Sequence, residues 1–320
     1  MRQALAILFA AVAVLRTAAA DDTPPGWAFA ADPPATQPAA KPTDDGEPKH
    51  VAHSKVALTA AQVRDPFNIP DWHPGDHPPA PDIVTHGKRP AILACGYCHL
   101  PNGQGRPENA SLAGLPAAYI EQQVADFRTG ARKSSLPSLR PPALMAGIAK
   151  AVSDDDVKIA AEYFASLKPK PWIRVIESAT VPKTHVAGFM LVPDKGGERE
   201  PIGTRIVETP ENLARTELRD SGSGFVAYVP PGSIADGRKI AATGGGKTIA
   251  CSTCHGADLK GLGPAPRLAG RSPSYLVRQL YDIKDGARGG PSNTLMRDVV
   301  KTLSDDDFVA VAAYAASLKP

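Results

Sequence analysis

Apolar positions at helical spacing occur twice along this chain in almost the same order. From Tyr119 to Phe127, and again from Tyr275 to Ile283, they recur every three or four residues, and each run stops just before a glycine, Gly130 or Gly286, suited to ending a helix. A further helix is expected at the end of each unit. It opens on Ser153 or Ser304 with an acid three residues on, Asp156 or Asp307, which predicts a capping box with Asp in place of the usual Glu. The adjoining acids suit the positive end of the helix dipole. Tyr163 and Tyr314 fall inside these terminal helices and are expected in the core.

The two units are copies. Residues 95–169 and 251–320 can be laid over each other with their matches in register: Leu112-Ala113-Gly114 with Leu268-Ala269-Gly270, Tyr119 with Tyr275, Gln123 with Gln279, Gly130-Ala131-Arg132 with Gly286-Ala287-Arg288. The closing stretches, SDDDVKIAAEYFASLKP and SDDDFVAVAAYAASLKP, are nearly identical. A duplicated helical domain explains this most economically, and 320 residues leave room for two domains and more.

The flanking segments have other patterns. Arg2, an apolar run from Ala4 to Leu15 and Ala18-Ala19-Ala20 read as a secretory signal over residues 1–20, so the expected location is the periplasm. That run is too short to span a bilayer. Residues 21–80 are rich in Ala, Pro and Asp and read as a disordered arm, with one short helix over VALTAAQV. Trp72, His73 and His77 are candidates for docking the arm onto the first domain. The domains themselves are expected over 81–169 and 232–320. Between them, residues 170–231 contain WIRVIE, GFMLVP, TRIVE and GFVAYVP, which predict an irregular or β-rich connector. At this length it either packs across both domains or presents a partner surface. The fold class expected is therefore mainly α, with two tandem domains, a β-rich connector and a disordered N-terminal arm.

Exported proteins commonly spend an even number of cysteines on disulfides. The placement of the four here argues otherwise. Cys95-Gly96-Tyr97-Cys98-His99 and Cys251-Ser252-Thr253-Cys254-His255 share the spacing of covalent haem attachment, in which two thiols one helical turn apart reach the porphyrin vinyl groups and the next imidazole faces the iron. A thioredoxin-like pair needs one motif beside a βαβ pattern, which is absent, and zinc does not explain a histidine after both pairs. An aromatic content of only 6% is compatible with a macrocycle filling part of each interior.

After the initiator the chain has three methionines, Met145, Met190 and Met296. Met145 lies 46 residues after His99 and Met296 lies 41 after His255, both shortly before the terminal helix. Their matched placement makes them candidates for the distal iron ligands, with core filling as the alternative. Met190, in the connector, has no counterpart and is expected in a core. Proximal imidazoles are usually oriented through their free N–H. The Pro266 carbonyl is a candidate acceptor in the second copy, and Ala110 takes that place in the first.

The two attachment motifs, the stretch from Gly261 to Gly270 (GLGPAPRLAG), the placed methionines and the Tyr-bearing last helix resemble class I cytochromes c. The tandem arrangement resembles the bacterial dihaem cytochromes c, over about 81–169 and 232–320. This resemblance implies two covalently bound haem c groups, with thioether links at Cys95, Cys98, Cys251 and Cys254, proximal His99 and His255, and distal Met145 and Met296. The chain departs from the family in its long connector and in Ala110, where the second copy keeps proline.

With both axial positions filled, the expected role is passage of single electrons between protein redox partners, a periplasmic or membrane dehydrogenase on one side and an oxidase or reductase on the other. No catalytic residue is assigned. The alternatives are a dihaem oxidoreductase of the sulfur-compound dehydrogenase or peroxidase type, and a fixed cytochrome subunit of a dehydrogenase. The formal charge of +3 falls close to zero without Arg2 and Arg16, so bulk charge supports no nucleic-acid partner. Arg128, Arg132, Lys133, Arg271, Arg278 and Arg288 are candidates for steering an acidic partner.

Overall fold

The computed structural model describes residues 24–31 and 46–320. The expected leader, and arm residues 21–23 and 32–45, lie outside the described residues. No helix among the described residues is long and apolar enough to cross a membrane.

The arm is docked where it is described. Helix α1 (Ala60–Arg64) starts at a full capping box between Thr59 and Gln62. Trp72 is 1% exposed and packs with Val51 and Val63, so from residue 46 the arm is ordered rather than a free tether. Proline-rich composition limits periodic apolar patterning, yet one indole with two valines suffices to anchor a segment against a neighbouring surface.

The first helical unit follows. It consists of α2 (Asp82–Thr85), α3 (Cys95–His99), α4 (Ala117–Thr129), α5 (Arg140–Ala151) and α6 (Asp154–Ser166). Helix α4 ends at Gly130, whose φ of 77° is left-handed and suits a residue without Cβ. The Ser153 hydroxyl accepts the Asp156 backbone N–H at the start of α6. Phe164, Ala161 and Val84 are buried at the centre of this unit.

The connector contributes β1 (Ile173–Glu177), β2 (Thr180–Pro182), β3 (Thr184–Ala187), β4 (Met190–Pro193), β5 (Arg199–Pro201), β6 (Val207–Pro210), α7 (Leu213–Glu217) and β7 (Phe225–Val229). Strand β7 is central in a three-stranded sheet, parallel to β1 and antiparallel to β6, while β2–β5 and β3–β4 form two antiparallel pairs. Each of the four β-forming runs in the sequence supplies a strand. The connector packs on both helical units. Asn102 and Gln104 side chains of the first donate to the Ser221 and Ser223 carbonyls at 3.0 Å. The buried Glu208 carboxylate accepts the Ser272 hydroxyl and the Ser274 N–H of the second.

The second unit has α8 (Ser233–Thr243), α9 (Ser252–His255), α10 (Pro273–Lys284), α11 (Thr294–Val300) and α12 (Asp305–Ser317). At the start of α12, Ser304 and Asp307 make the complete capping box. Helix α8 crosses α12 so closely that a Cβ on Gly237 would overlap the Ala310 carbonyl. In the first unit the corresponding helix, α2, is only four residues long. Beside α6 the arm takes part instead, through the Tyr163 hydroxyl, which donates to the Pro101 carbonyl at 2.7 Å and lies 3.1 Å from His77 Nδ1.

Candidate functional site

Each CxxCH sequence forms one short helical turn, α3 or α9, and each turn is followed by the same loop closure. Gly105 N–H donates to the His99 carbonyl, and Gly261 N–H to the His255 carbonyl, both at 2.9 Å. The imidazoles are fixed alike. His99 Nδ1–H donates to the Ala110 carbonyl and His255 Nδ1–H to the Pro266 carbonyl, each at 2.8 Å. Losing proline at Ala110 therefore leaves the hydrogen bond intact. With Nδ1 protonated and engaged, Nε2 is the nitrogen left to bind a metal. Burial lowers both imidazole pKa values, which favours the neutral form that can bind a metal.

In the second unit the sequence-predicted residues come together on one cleft. Cys251, Cys254, His255 and Met296 line it with Pro266, Leu268 and the apolar faces of α10 and α12, around about 1140 Å³ of atom-free space that opens to solvent. Its walls are overwhelmingly apolar, as a porphyrin requires. In the first unit Cys95 and Met145 pack against the same buried cluster, and the His99 ring meets Phe164 edge-on at 6.2 Å. Met190 is buried in a separate cluster with Trp172 and Phe225, and its sulfur accepts from Arg106 of the first unit, so it fills a core as its unmatched position implied. Burial pushes the Cys95 thiol up to about 12 and raises Cys98 and Cys251 as well. Thiols held neutral in this way are poor redox nucleophiles, which counts against disulfide-exchange chemistry.

Between the units lies a polar cluster with approximate two-fold symmetry. Arg132 and Arg288 form an antiparallel bridge, with Lys133 N–H donating to the Ala287 carbonyl and Gly289 N–H to the Ala131 carbonyl, each at 2.7 Å. Arg132 donates to Gln123 of its own unit and to Tyr275 and Gln279 of the other. Arg288 donates to Gln279 of its own and to Tyr119 and Gln123 across the boundary. The residues that matched in the repeat thus meet at its seam.

This corrects the expectation that these arginines steer a partner from the surface. Arg132, Arg271, Arg278 and Arg288 are all under 9% exposed: Arg132 and Arg288 sit in the seam, Arg278 on α10 donates to the Pro107 carbonyl of the first unit, and Arg271 donates to the Arg267 carbonyl. Arg128 is engaged locally, with the Ala149 and Val152 carbonyls and Asp154. Charge counts had no means of telling an exposed guanidinium from one at an intramolecular seam. The repeat match itself was the available signal.

The cluster is also short of anions. Burial, with repulsion from Arg271, lowers Arg267 to about 9. Burial pushes the Tyr275 hydroxyl up, but Arg132, Arg271 and Arg288 outweigh it and bring it down to about 8. The buried Nε groups of Arg267, Arg271 and Arg288 have no acceptor among the described residues. An apolar cleft with a thiol pair, a neutral imidazole and a thioether, bordered by under-neutralised guanidinium groups, fits an iron porphyrin bearing carboxylates.

A helical fold carrying an attachment turn in each of two units defines an electron-transfer protein of the covalent-haem class. The cytochrome c family model matches residues 234–319. Cytochrome c-554(548) of Halomonas halodenitrificans is 41% identical over 78 residues, 94% of that protein and 24% of this chain. Cytochrome c4 of Azotobacter vinelandii is 29% identical over 229 residues, 70% of this chain and 84% of that one. A protein named thiosulfate dehydrogenase electron acceptor, from Stutzerimonas stutzeri, is 28% identical over 235 residues, 72% of this chain and 82% of that one. The chain belongs to the cytochrome c family. An alignment of 229 residues is longer than either copy, so the likeness to cytochrome c4 extends to the tandem arrangement.

Proposed function

We propose that the chain is an exported dihaem electron carrier, with one haem c held covalently by Cys95 and Cys98 and the other by Cys251 and Cys254. His99 and His255 are the proximal ligands, Met145 and Met296 the distal ones. The observation that carries this is the matched 2.8 Å hydrogen bond from each histidine Nδ1 to a carbonyl eleven residues on, which leaves Nε2 for iron in both units.

When bound, the haem iron supplies one-electron chemistry, with the thioether sulfur favouring its reduced state. The chain's residues do the rest. Leu276, Val300 and Ala312 line the second cleft and exclude water from it, and Phe164 and Ala161 do so in the first. Arg271 and Arg288, which border the cleft with buried Nε groups that have no acceptor among the described residues, would neutralise porphyrin carboxylates there. The similarity to a thiosulfate dehydrogenase electron acceptor supports a sulfur-compound dehydrogenase as the donor.

Oxidised and reduced spectra of the purified protein with a haem count per chain test this reading. Two haems, and a methionine-to-ferric-iron charge-transfer band, are expected. A count below two, or steady turnover of thiosulfate by the protein alone, overturns it.

A further inference from the structure

The two attachment turns have equivalent backbones and unlike surroundings. In the second unit Thr253 and Cys254 are exposed, as are Asp258, Lys260 and Leu262 in the loop beyond, with Leu262 61% exposed. In the first unit the equivalent positions are Asn102, Gln104 and Arg106, and Arg106 is 7% exposed. What covers them is the connector. Ser221 and Ser223 accept from Asn102 and Gln104, and Arg106 donates to the sulfur of Met190 on β4 at 2.8 Å.

The cover reaches the attachment turn itself. The Arg219 guanidinium lies 3.7 Å from the ring centroid of Tyr97, the residue beside Cys98, and donates to the Tyr97 carbonyl at 2.7 Å. Arg219 holds a left-handed backbone, φ 55°, that an L side chain rarely adopts without external support. That support is visible. Trp72 of the arm donates to the Leu218 carbonyl at 2.7 Å. The fully enclosed Asp220 carboxylate binds Arg215 at 2.6 Å and His73 at 2.8 Å. The Tyr97 hydroxyl donates to the Arg64 carbonyl at the end of α1. Arm and connector thus clamp one thioether edge from two sides and leave the other bare.

We propose that this clamp makes the protein a one-port carrier: Arg219, Met190 and the Ser221–Ser223 segment close the first haem edge to outside molecules, so exchange with redox partners runs through the edge beside Cys254. Electron exchange falls steeply with edge-to-edge separation, so a covering layer of side chains is enough to favour one port over the other. A soluble donor would lose one electron to the haem that Cys251, Cys254, His255 and Met296 would hold, and the first unit would be filled from within, across the seam of Arg132 and Arg288. No bond or proton is exchanged in either step. The inference rests on the dihaem reading above.

The test uses the whole holoprotein and begins with the haem count. In the reduced state, an uncharged gadolinium chelate is expected to broaden the thioether-bridge proton resonances at Cys254 several-fold more than those at Cys98. Arg219→Ala is expected to raise the broadening at Cys98 while leaving Cys254 unchanged. The wild-type comparison stands without any variant. A count below two haems overturns the functional reading together with this one. Two haems with equal broadening at the two edges overturn the one-port proposal alone, and protection at Cys98 that survives Arg219→Ala removes Arg219 from the cover.

Discussion

Arg132 and Arg288, equivalent residues of a duplicated domain, pair with each other backbone to backbone and exchange side-chain hydrogen bonds across the boundary between the copies. Like charges meet there because Gln123 and Gln279 each accept from both guanidinium groups. Gln123→Leu leaves one N–H of each arginine without its acceptor in a buried setting. The expected cost is about 2–6 kcal/mol of stability, at roughly 1–3 kcal/mol for each of the two buried donors left unpaired. Urea unfolding followed by far-UV circular dichroism measures it, and a loss below a few tenths of a kcal/mol contradicts the seam's structural role.

The methionines are separable. Met145→Ala and Met296→Ala are each expected to remove about half of the methionine-to-iron charge-transfer intensity and to lower one of two midpoint potentials, since a thioether ligand raises the potential of its haem. Potentiometric titration of each variant assigns the potentials. Met190→Leu, which changes a residue outside both ligand sets, is expected to leave the band intact.

The acid side of the stability curve depends on two ion pairs. Hydrogen bonds from Lys88 and Ser153 hold Asp156 below the usual 3.8. Burial pushes Asp307 upward, but Lys247 and Ser304 outweigh it and leave that carboxyl low as well. A group whose folded pKa is depressed stabilises fully above its unfolded value and loses that contribution as pH falls through the lower, folded one. Thermal midpoints of the wild type should therefore fall below about pH 4. In Lys88→Met the wild-type margin should be largest near neutrality and shrink as the carboxylates protonate. A margin that does not change with pH refutes the linkage.

Gly237 is expected to tolerate no side chain. Its missing Cβ is what lets α8 lie against the Ala310 carbonyl of α12. Gly237→Ala forces the two helices apart, at a cost of about 1–3 kcal/mol for an overpacked contact. The first unit has no long helix at this place, so differential scanning calorimetry should show the loss in the transition that involves the second unit.

Much of this architecture was legible from pattern. The repeat, the two serine caps, the glycine stops at Gly130 and Gly286 and the strands of the connector follow from local rules that act over a few residues. The docking of the arm was harder to read, because it depends on where Trp72 meets Leu218, 146 positions away. The same holds for Lys88 with Asp156 and for Arg219 with Tyr97. Each residue is ordinary in its own neighbourhood and acquires its role only from a distant partner. The arginine seam lay between these extremes. Its members were visible as repeat matches, but a sequence gives the sign of a charge without its burial.

The cover over the first attachment turn has a consequence for the order in which the protein is made. Tyr97 and Arg219 are 122 positions apart, and the chain is synthesised from its N-terminus. Cys95 and Cys98 therefore emerge long before Leu218 to Ser223 exist to lie over them, and β1 must wait for its neighbour β7. On the dihaem reading proposed above, both thiols would be within reach for haem attachment before the connector lies over them.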